Sequence, residues 1–111
     1  MQFLLLIYED ESRFNSGYDE AELNEYFAFG KRFAGAIKGG NALQLTKTAK
    51  TVRVRNGKRS TTDGPFAETK EQLGGFYLIE ANDIDEATAI AEHIPGARFG
   101  SIEVRPILNF S

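Results

Sequence analysis

An acidic turn motif is the segment of this sequence best suited to chemistry. Asp63 precedes Gly64 and Pro65, which favour a turn because Pro65 has no amide hydrogen to give to a strand ladder. A carboxylate on a rigid turn can face a cleft, and burial there would suit it to general-base work. The alternative is structural, since Asp before Gly commonly hydrogen-bonds to its own turn. The sequence leaves both roles open for Asp63.

Residues near this turn complete a candidate small-molecule site. Glu68 supplies a second carboxylate, although such a charge is more commonly solvated. Tyr77 lies on a later apolar segment, where its ring is suited to packing and its hydroxyl to orienting a ligand. The predicted catalytic residue is Asp63. The predicted ligand-binding residues are Asp63, Gly64, Pro65, Phe66, Glu68 and Tyr77.

Composition narrows the chemistry that is open to the chain. The absence of Cys excludes disulfides, thiolate nucleophiles and Cys-based zinc sites. The single histidine, His93, excludes a multi-histidine metal site within one chain, and its place near a helix end suits a structural role. We therefore predict no metal and no cofactor. The net charge of −3 gives no electrostatic case for binding nucleic acid.

A basic segment surrounds Asn56-Gly57, the dipeptide most typical of a tight type I′ hairpin. Strands at 51–55 and 58–62 would place Arg55 opposite Lys58 and Arg53 opposite Ser60. Like charges that lie directly opposite each other on paired strands destabilise the hairpin. A bound anion, a partner's carboxylates or nearby acidic residues would compensate them. The alternative is a charged hairpin edge that resists aggregation. Nucleic acid is not predicted, because aromatic residues are not interleaved with these bases.

The strand pattern predicts one domain that spans residues 1–111. The run from Phe3 to Tyr8 is apolar without alternation, which indicates a strand covered on both faces. It is too short to span a bilayer and lacks the features of a signal peptide, so we expect a cytoplasmic protein without membrane contact. Further strands are predicted at 42–48, 76–81 and 102–107, with one helical turn at 67–72. Gly74-Gly75 indicates a bulge or a close backbone approach.

Two helices are predicted between these strands. Asp19 is positioned to cap the first, and Gly39-Gly40 to end it. Asp83 is positioned to cap the second, which Pro95-Gly96 ends. Phe29 falls outside the apolar stripe of the first helix. The predicted stripes are Leu23, Tyr26, Phe27, Gly30, Phe33, Ala34 and Ile37 on the first helix, and Ile84, Ala87, Ile90, Ala91 and Ile94 on the second.

This order of elements is typical of one α+β fold. The predicted order is strand, helix, strand, hairpin, strand, helix, strand. This order suggests a ferredoxin-like split βαβ sheet with both helices on one face. Strands that are apolar on both faces, under a single helical layer, need a second cover. The simplest cover is the same surface of a second copy, related by a two-fold axis. We therefore predict a homodimer.

Four sequence segments carry a resemblance to a known family. They are VRVR from Val52, DGPFAETKE from Asp63, LGGFYLIE from Leu73 and EVRP from Glu103. Together they closely resemble the DGPF-type branch of the YCII-related proteins, which are small bacterial domains. The resemblance covers nearly the whole chain. It implies a ferredoxin-like fold that pairs into a dimeric α+β barrel.

The resemblance implies less about function. Most members of that branch have no assigned activity, and many are encoded beside extracytoplasmic-function sigma factors. The broader superfamily includes an enzyme that dehydrochlorinates an aromatic ring with a His–Asp pair, but the first half of this chain has no His. One hypothesis is a small polar ligand bound near Asp63, with cofactor-free proton transfer or lyase-type chemistry. The other is an accessory or regulatory protein that docks a partner through its sheet or its basic hairpin.

Burial separates these two hypotheses. The enzyme hypothesis expects Asp63 to be partly buried in a concave site. The interaction hypothesis expects an exposed apolar patch to remain after dimerisation.

Overall fold

The apolar run at the N-terminus becomes a central strand of an antiparallel sheet. The computed structural model describes residues 1–110. The strands and helices are β1 (Gln2–Glu9), α1 (Glu20–Arg32), β2 (Ile37–Ala42), β3 (Lys50–Arg55), β4 (Lys58–Asp63), β5 (Gln72–Glu80), α2 (Ile84–Ala91) and β6 (Ser101–Pro106). The main sheet has the order β2-β5-β1-β6, and β3 pairs with β4 in a separate hairpin. This is the predicted split βαβ arrangement, with the hairpin inserted between its second and third strands.

One face of the sheet forms the core together with both helices. Phe3, Leu5 and Ile7 of β1 are buried at alternate positions, and Ile79 of β5 lies beside Phe3. Phe29 of α1 joins the same cluster, as do four residues of α2 and the segment after it. Those four are Ala87, Ile90, Ala91 and Ile94. Both helices therefore lie on one face, which confirms the predicted α+β fold.

The other face of the sheet also has an apolar centre. Leu4 and Leu6 of β1 are half-buried, and they lie opposite Leu78 and Phe76 of β5. These four side chains form what we call the outer face. On its β6 side the apolar centre gives way to polar residues, since Leu6 pairs with Glu103. The apolar character of both faces of β1 follows the prediction.

The phase of α1 differs from the prediction. Its buried residues are Phe29, only 4% exposed, and Glu22, whereas Phe27 is 71% exposed. Tyr26 and Phe33 pack against the core as predicted, but Phe29 and Glu22 are buried where the prediction had Phe27 and Leu23. A carboxylate is rarely buried unless it is paired. Glu22 is paired, and Phe29, which fell outside the predicted stripe, is the aromatic residue that α1 buries.

The second strand begins earlier than predicted. The helix ends at Arg32, and Gly39-Gly40 lies within β2, so these glycines are not its C-cap. A Cβ atom on Gly40 would come within 2.5 Å of the carbonyl oxygen of Phe76. The glycine is therefore needed for close approach to β5. The predicted strand at 42–48 is instead a loop containing a short 3-10 turn at Thr46–Thr48.

The hairpin prediction is confirmed in detail. Asn56 and Gly57 both have positive φ, at 53° and 73°, as a type I′ turn requires. Arg55 pairs with Lys58, and Arg53 pairs with Ser60. The helical turn predicted at 67–72 is wrong, because that segment is irregular until β5 begins at Gln72.

Two other local predictions hold. The β1–β5 register shifts between Ile7 and Tyr8, opposite Gly74-Gly75, which is the predicted bulge. Asp19 and Asp83 cap the two helices by accepting hydrogen bonds from backbone amides of the first turn. The second helix ends at Ala91, ahead of a 3-10 turn at Pro95–Arg98. Within residues 1–110, no helix is long and apolar enough to cross a membrane.

Candidate functional site

A cavity of about 320 Å³ lies between α1 and the sheet. Its walls come from the end of β1, the first half of α1, the end of β2 with the loop that follows, and β5. Most of this lining is apolar. Ile7, Leu23, Tyr26 and Tyr77 contribute to it, and Phe14 and Tyr18 close it from the segment before α1. Small-molecule sites are typically concave and apolar with a few polar groups, which is the character of this cavity.

Two buried carboxylates lie at the cavity wall and share one guanidinium. Glu9 is 7% exposed and Glu22 is 8% exposed. Arg13 Nη2 donates to Glu22 Oε2 at 2.8 Å, and Arg13 Nη1 lies 3.1 Å from Glu9 Oε1. The second contact lacks hydrogen-bond geometry, so Glu9 Oε1 and Arg13 Nη1 are buried without a hydrogen bond. We call these three residues the buried triad.

The environment of Glu9 within the buried triad shifts its pKa. Burial raises the pKa of Glu9, and the nearby charges of Glu22 and Glu71 add to that increase, while Arg13 opposes it. The guanidinium of Arg13 also packs over aromatic rings, with Cζ 3.9 Å from the centroid of Phe99. A carboxyl group with a raised pKa, beside an apolar cavity, is a common feature of acid–base sites.

The backbone approaches Glu9 closely at Gly96. A Cβ atom on Gly96 would lie 2.5 Å from Glu9 Oε1 and 2.9 Å from the hydroxyl oxygen of Tyr26. The amide of Gly96 donates to that hydroxyl at 3.2 Å, and burial raises the pKa of Tyr26. Burial also raises the pKa of Tyr77. Tyr26 and Tyr77 are therefore neutral hydroxyl groups at neutral pH.

A third carboxylate fixes the far wall of the cavity. Glu11 accepts hydrogen bonds from the backbone amide of Thr46 at 2.8 Å and from the Thr46 hydroxyl at 2.6 Å. These bonds join the segment after β1 to the loop after β2. Glu11 lines the cavity and also a neighbouring open groove. The two concave surfaces share Glu11, Leu45 and Gln72.

The predicted motif lies in that open groove. Asp63, Gly64, Pro65 and Glu68 line it. The Asp63 side chain is 86% exposed, and its carboxylate accepts a hydrogen bond from Lys50 Nζ at 2.8 Å. The turn has the expected backbone, since Gly64 has φ of 94°. The partial burial that the enzyme hypothesis expected at Asp63 is not present.

The remaining predicted residues, Tyr77 and Phe66, lie outside that groove. Tyr77 is half-buried and lines the cavity. Phe66 is 80% exposed and lines neither surface. The structure therefore brings Asp63, Gly64, Pro65 and Glu68 together and separates them from Tyr77. These assignments stay predictions for ligand binding.

Sequence reasoning did not identify Glu9, Arg13 and Glu22. Two signals for them were present. Glu9 continues the core-facing alternation of β1, and Arg13 stands four residues after it. Glu22 precedes Tyr26 at helical spacing on the buried stripe of α1. A charged residue in a core-facing position, with an opposite charge nearby, indicates a buried pair.

His93 has structural contacts. It follows α2 by two residues, its ring centroid lies 5.6 Å from that of Phe33, and its Nδ1 is 3.4 Å from Arg32 Nη1. Within the described residues 1–110, no group of three or more His, Cys, Asp or Glu side chains is placed to hold a metal ion.

Comparisons with known proteins agree with this fold. The sequence pattern of the YCII-related domain matches residues 1–111. An uncharacterized protein of Rhizobium meliloti (strain 1021) is 40% identical over 114 residues, covering 96% of this chain and 92% of that protein. A similar solved structure is 5-chloro-2-hydroxyhydroquinone dehydrochlorinase from Burkholderia phenoliruptrix AC1100 in complex with 2,5-dihydroxybenzoquinone. It has a TM-score of 0.55 and 18% identity, and the match covers 97% of this chain and 94% of that one. At this identity the likeness extends to the fold alone.

Proposed function

We propose that this chain, which belongs to the YCII-related domain family, binds a small ring-sized molecule in the cavity and transfers a proton without a cofactor. The observation that carries the proposal is the buried carboxyl group of Glu9 at the wall of a largely apolar cavity. A raised pKa lets such a group hold a proton at a pH where ordinary carboxyls have lost theirs. General acid–base catalysis depends on this property.

The motif has a binding role in this proposal. Asp63, Gly64, Pro65 and Glu68 would contact a polar end of the ligand, because their groove adjoins the cavity. Tyr77 would pack against the ring and orient it through its hydroxyl. Solvent exposure and the Lys50 pair favour binding over proton abstraction for Asp63.

Lyase-type chemistry is the reaction class to examine first. The dehydrochlorinase that shares this fold binds a six-membered ring, which makes similar rings reasonable probes. The missing His in the first half of this chain means that its acid–base group would differ, and Glu9 is the candidate. Within the family we place the chain in the DGPF-type branch, on the segment from Asp63 to Glu71.

The test begins with binding. A thermal-shift and calorimetry panel of ring compounds, including phenol, benzyl alcohol, benzylamine and 2,5-dihydroxybenzoquinone, should yield a ligand that stabilises the wild type. Leu23→Trp should abolish that shift by filling the cavity, because Leu23 lines it. Phe27→Trp is the matched control on the same helix, because Phe27 is exposed and does not line the cavity. Equal loss in both variants would contradict the proposal.

Proton transfer is tested on any compound that binds. Deuterium exchange into the bound compound, followed by NMR, should slow at least about tenfold in Glu9→Gln, which is about 1.4 kcal/mol of barrier. Asp63→Asn should weaken binding while leaving the exchange rate of the saturated complex unchanged. A ligand that stabilises the wild type and Asp63→Asn equally would remove the motif from the site.

We also propose that the protein is a homodimer that pairs through the outer face. Leu4, Leu6, Phe76 and Leu78 form an apolar strip that the single helical layer cannot reach. Light scattering should give a mass of twice 12.3 kDa at micromolar concentration. Leu78→Lys should reduce that mass toward the monomer, because its cross-strand neighbours are Leu4 and Gly39 and the new charge would be buried unpaired in the interface. A stable wild-type mass near 12.3 kDa would refute the dimer.

An accessory role through protein contact is the second candidate. The hairpin favours it, because the register places Val52 and Val54 on one face and Arg53 and Arg55 on the other, and all four are exposed. An exposed apolar and basic surface suits an acidic protein partner. Calorimetry with a purified extracytoplasmic-function sigma factor tests this role. Val54→Glu should abolish any binding, and an unaffected variant would exclude the hairpin.

A further inference from the structure

The cavity between α1 and the sheet has a marked charge imbalance. Four carboxylates line it, and among residues 1–110 no Lys, Arg or His does so. Arg13 lies behind the wall and is shared between two of the four. The four carboxylates are those of Glu9, Glu11, Asp19 and Glu22. An anionic ligand would meet more acidic than basic groups at this wall and would be repelled.

The wall supplies hydrogen-bond acceptors where a ligand needs them. Glu9 is 7% exposed, and its Oε1 atom is enclosed beside Arg13 Nη1, which lies 3.1 Å away. The acceptor that a ligand can reach is therefore Glu11, which is only half-buried. Each Glu11 oxygen has one donor from Thr46 and retains a further lone pair. An ammonium group has several donors and no acceptor, so it complements such a wall.

Aromatic rings form much of the remaining surface. Phe14, Tyr18, Tyr26 and Tyr77 line the cavity, and ring faces attract cations. The protein already uses this attraction nearby, since Arg13 Cζ lies 5.2 Å from the ring centroid of Phe14. A cage of aromatic rings with carboxylates beside it is the chemistry that recognises ammonium groups.

We propose that the cavity binds a small organic cation, namely an ammonium group carried on a ring-sized apolar body. The inference rests on the proposed function and specifies the charge of its ligand. The apolar body would lie against Ile7, Leu23 and the aromatic rings, and the ammonium would face the acidic wall. The same wall would reject anions of similar size.

Three probes of nearly equal size test the charge. Benzylamine is a cation at neutral pH, benzyl alcohol is neutral and benzoate is an anion. Calorimetry at low salt should give benzylamine at least about tenfold tighter binding than benzyl alcohol, with benzoate weakest. Added salt should reduce the benzylamine affinity more than the benzyl alcohol affinity.

Variants locate the preference in the cavity. Glu11→Gln and Glu22→Gln should each reduce the ratio of benzylamine to benzyl alcohol affinity at least about threefold, while benzyl alcohol affinity changes little. Glu20→Gln is the matched control, because it removes the same charge from α1 at an exposed position outside the cavity. If Glu22→Gln fails to fold, Glu11→Gln alone decides the matter, because Glu11 is outside the buried triad.

The outcomes separate this inference from the proposed function. Equal affinity for benzylamine and benzyl alcohol, or tighter binding of benzoate, would overturn the cation and leave a ring-binding cavity. A reduced ratio in Glu20→Gln that equals the reduction in the cavity variants would also overturn it. Failure of every ring compound to bind the folded wild type would overturn both proposals.

Discussion

Removal of Arg13 tests whether the buried triad is held as the structure indicates. Arg13→Met keeps an unbranched side chain over Phe99 but leaves two buried carboxylates without their shared counter-charge. Breaking a buried pair by removing one partner typically costs about 3–5 kcal/mol. For a domain of this size each kcal/mol lowers Tm by about 4 °C, so a loss of roughly 12–20 °C is expected.

A surface arginine provides the matched control. Arg98 pairs with Glu25 through two hydrogen bonds of 2.7 and 2.8 Å, and it also lies over Phe99. Both partners are about half exposed, so water and salt screen the pair and it stabilises the fold little. Arg98→Met should therefore lower Tm much less than Arg13→Met does. Circular dichroism melts of the three proteins in one buffer measure the difference.

The pH dependence of this loss has a definite sign. Burial already raises the pKa of Glu9 above 4.5, and loss of the opposing Arg13 charge raises it further. An acid whose pKa is higher in the folded state stabilises the fold below its unfolded pKa and loses that contribution as pH rises through the folded pKa. The deficit of Arg13→Met should therefore be larger near about pH 8 than near about pH 4.5. A deficit equal to that of Arg98→Met, or independent of pH, would refute the buried triad.

Two further predictions concern the fold. In urea melts, Phe29→Ala should lower the free energy of unfolding by about 3–5 kcal/mol, because Phe29 is buried. Phe27→Ala should lower it by less than about 0.5 kcal/mol, because Phe27 is exposed. The reverse order would mean that α1 buries the face that contains Phe27. Gly57→Val should speed hydrogen exchange of the β3–β4 amides roughly 5- to 30-fold, because positive φ costs a β-branched residue about 1–2 kcal/mol. Gly57→Asn is the control and should change the exchange rate little, because Asn tolerates positive φ. Unchanged exchange in Gly57→Val would contradict the type I′ turn.

Local signals in the sequence predicted much of the fold correctly. Asn56-Gly57 specifies positive φ at two successive positions, and few other residue pairs allow it. Asp19 and Asp83 carry the side-chain acceptor that a helix start needs. The uniform apolar run of β1 places apolar side chains on both faces of the sheet. Each of these features is determined by a few neighbouring residues, which is why sequence alone sufficed.

Features that depend on distant partners were predicted less well. The phase of α1 depends on Glu22, whose burial is stabilised by Arg13 nine positions earlier in a different segment. The glycines of β2 resemble a helix C-cap in sequence, but Gly40 is fixed by its approach to Phe76 across the sheet. Neither contact can be read from local pattern. The buried triad was missed although Glu9 and Arg13 are only four residues apart, because Glu22 reaches them only when β1 and α1 come together.

The burial of a carboxyl group indicates the place of the proposed chemistry better than the distinctiveness of its sequence motif does. Asp63 belongs to the most distinctive segment of the sequence, yet its carboxylate is solvated and paired with Lys50. A carboxylate so exposed is suited to attracting a ligand at the mouth of a site. Glu9 has the opposite environment, because burial favours its protonated form and the adjacent cavity can hold a ligand. We therefore propose a division of labour, in which the motif would capture a polar group of the ligand and the buried acid would exchange the proton.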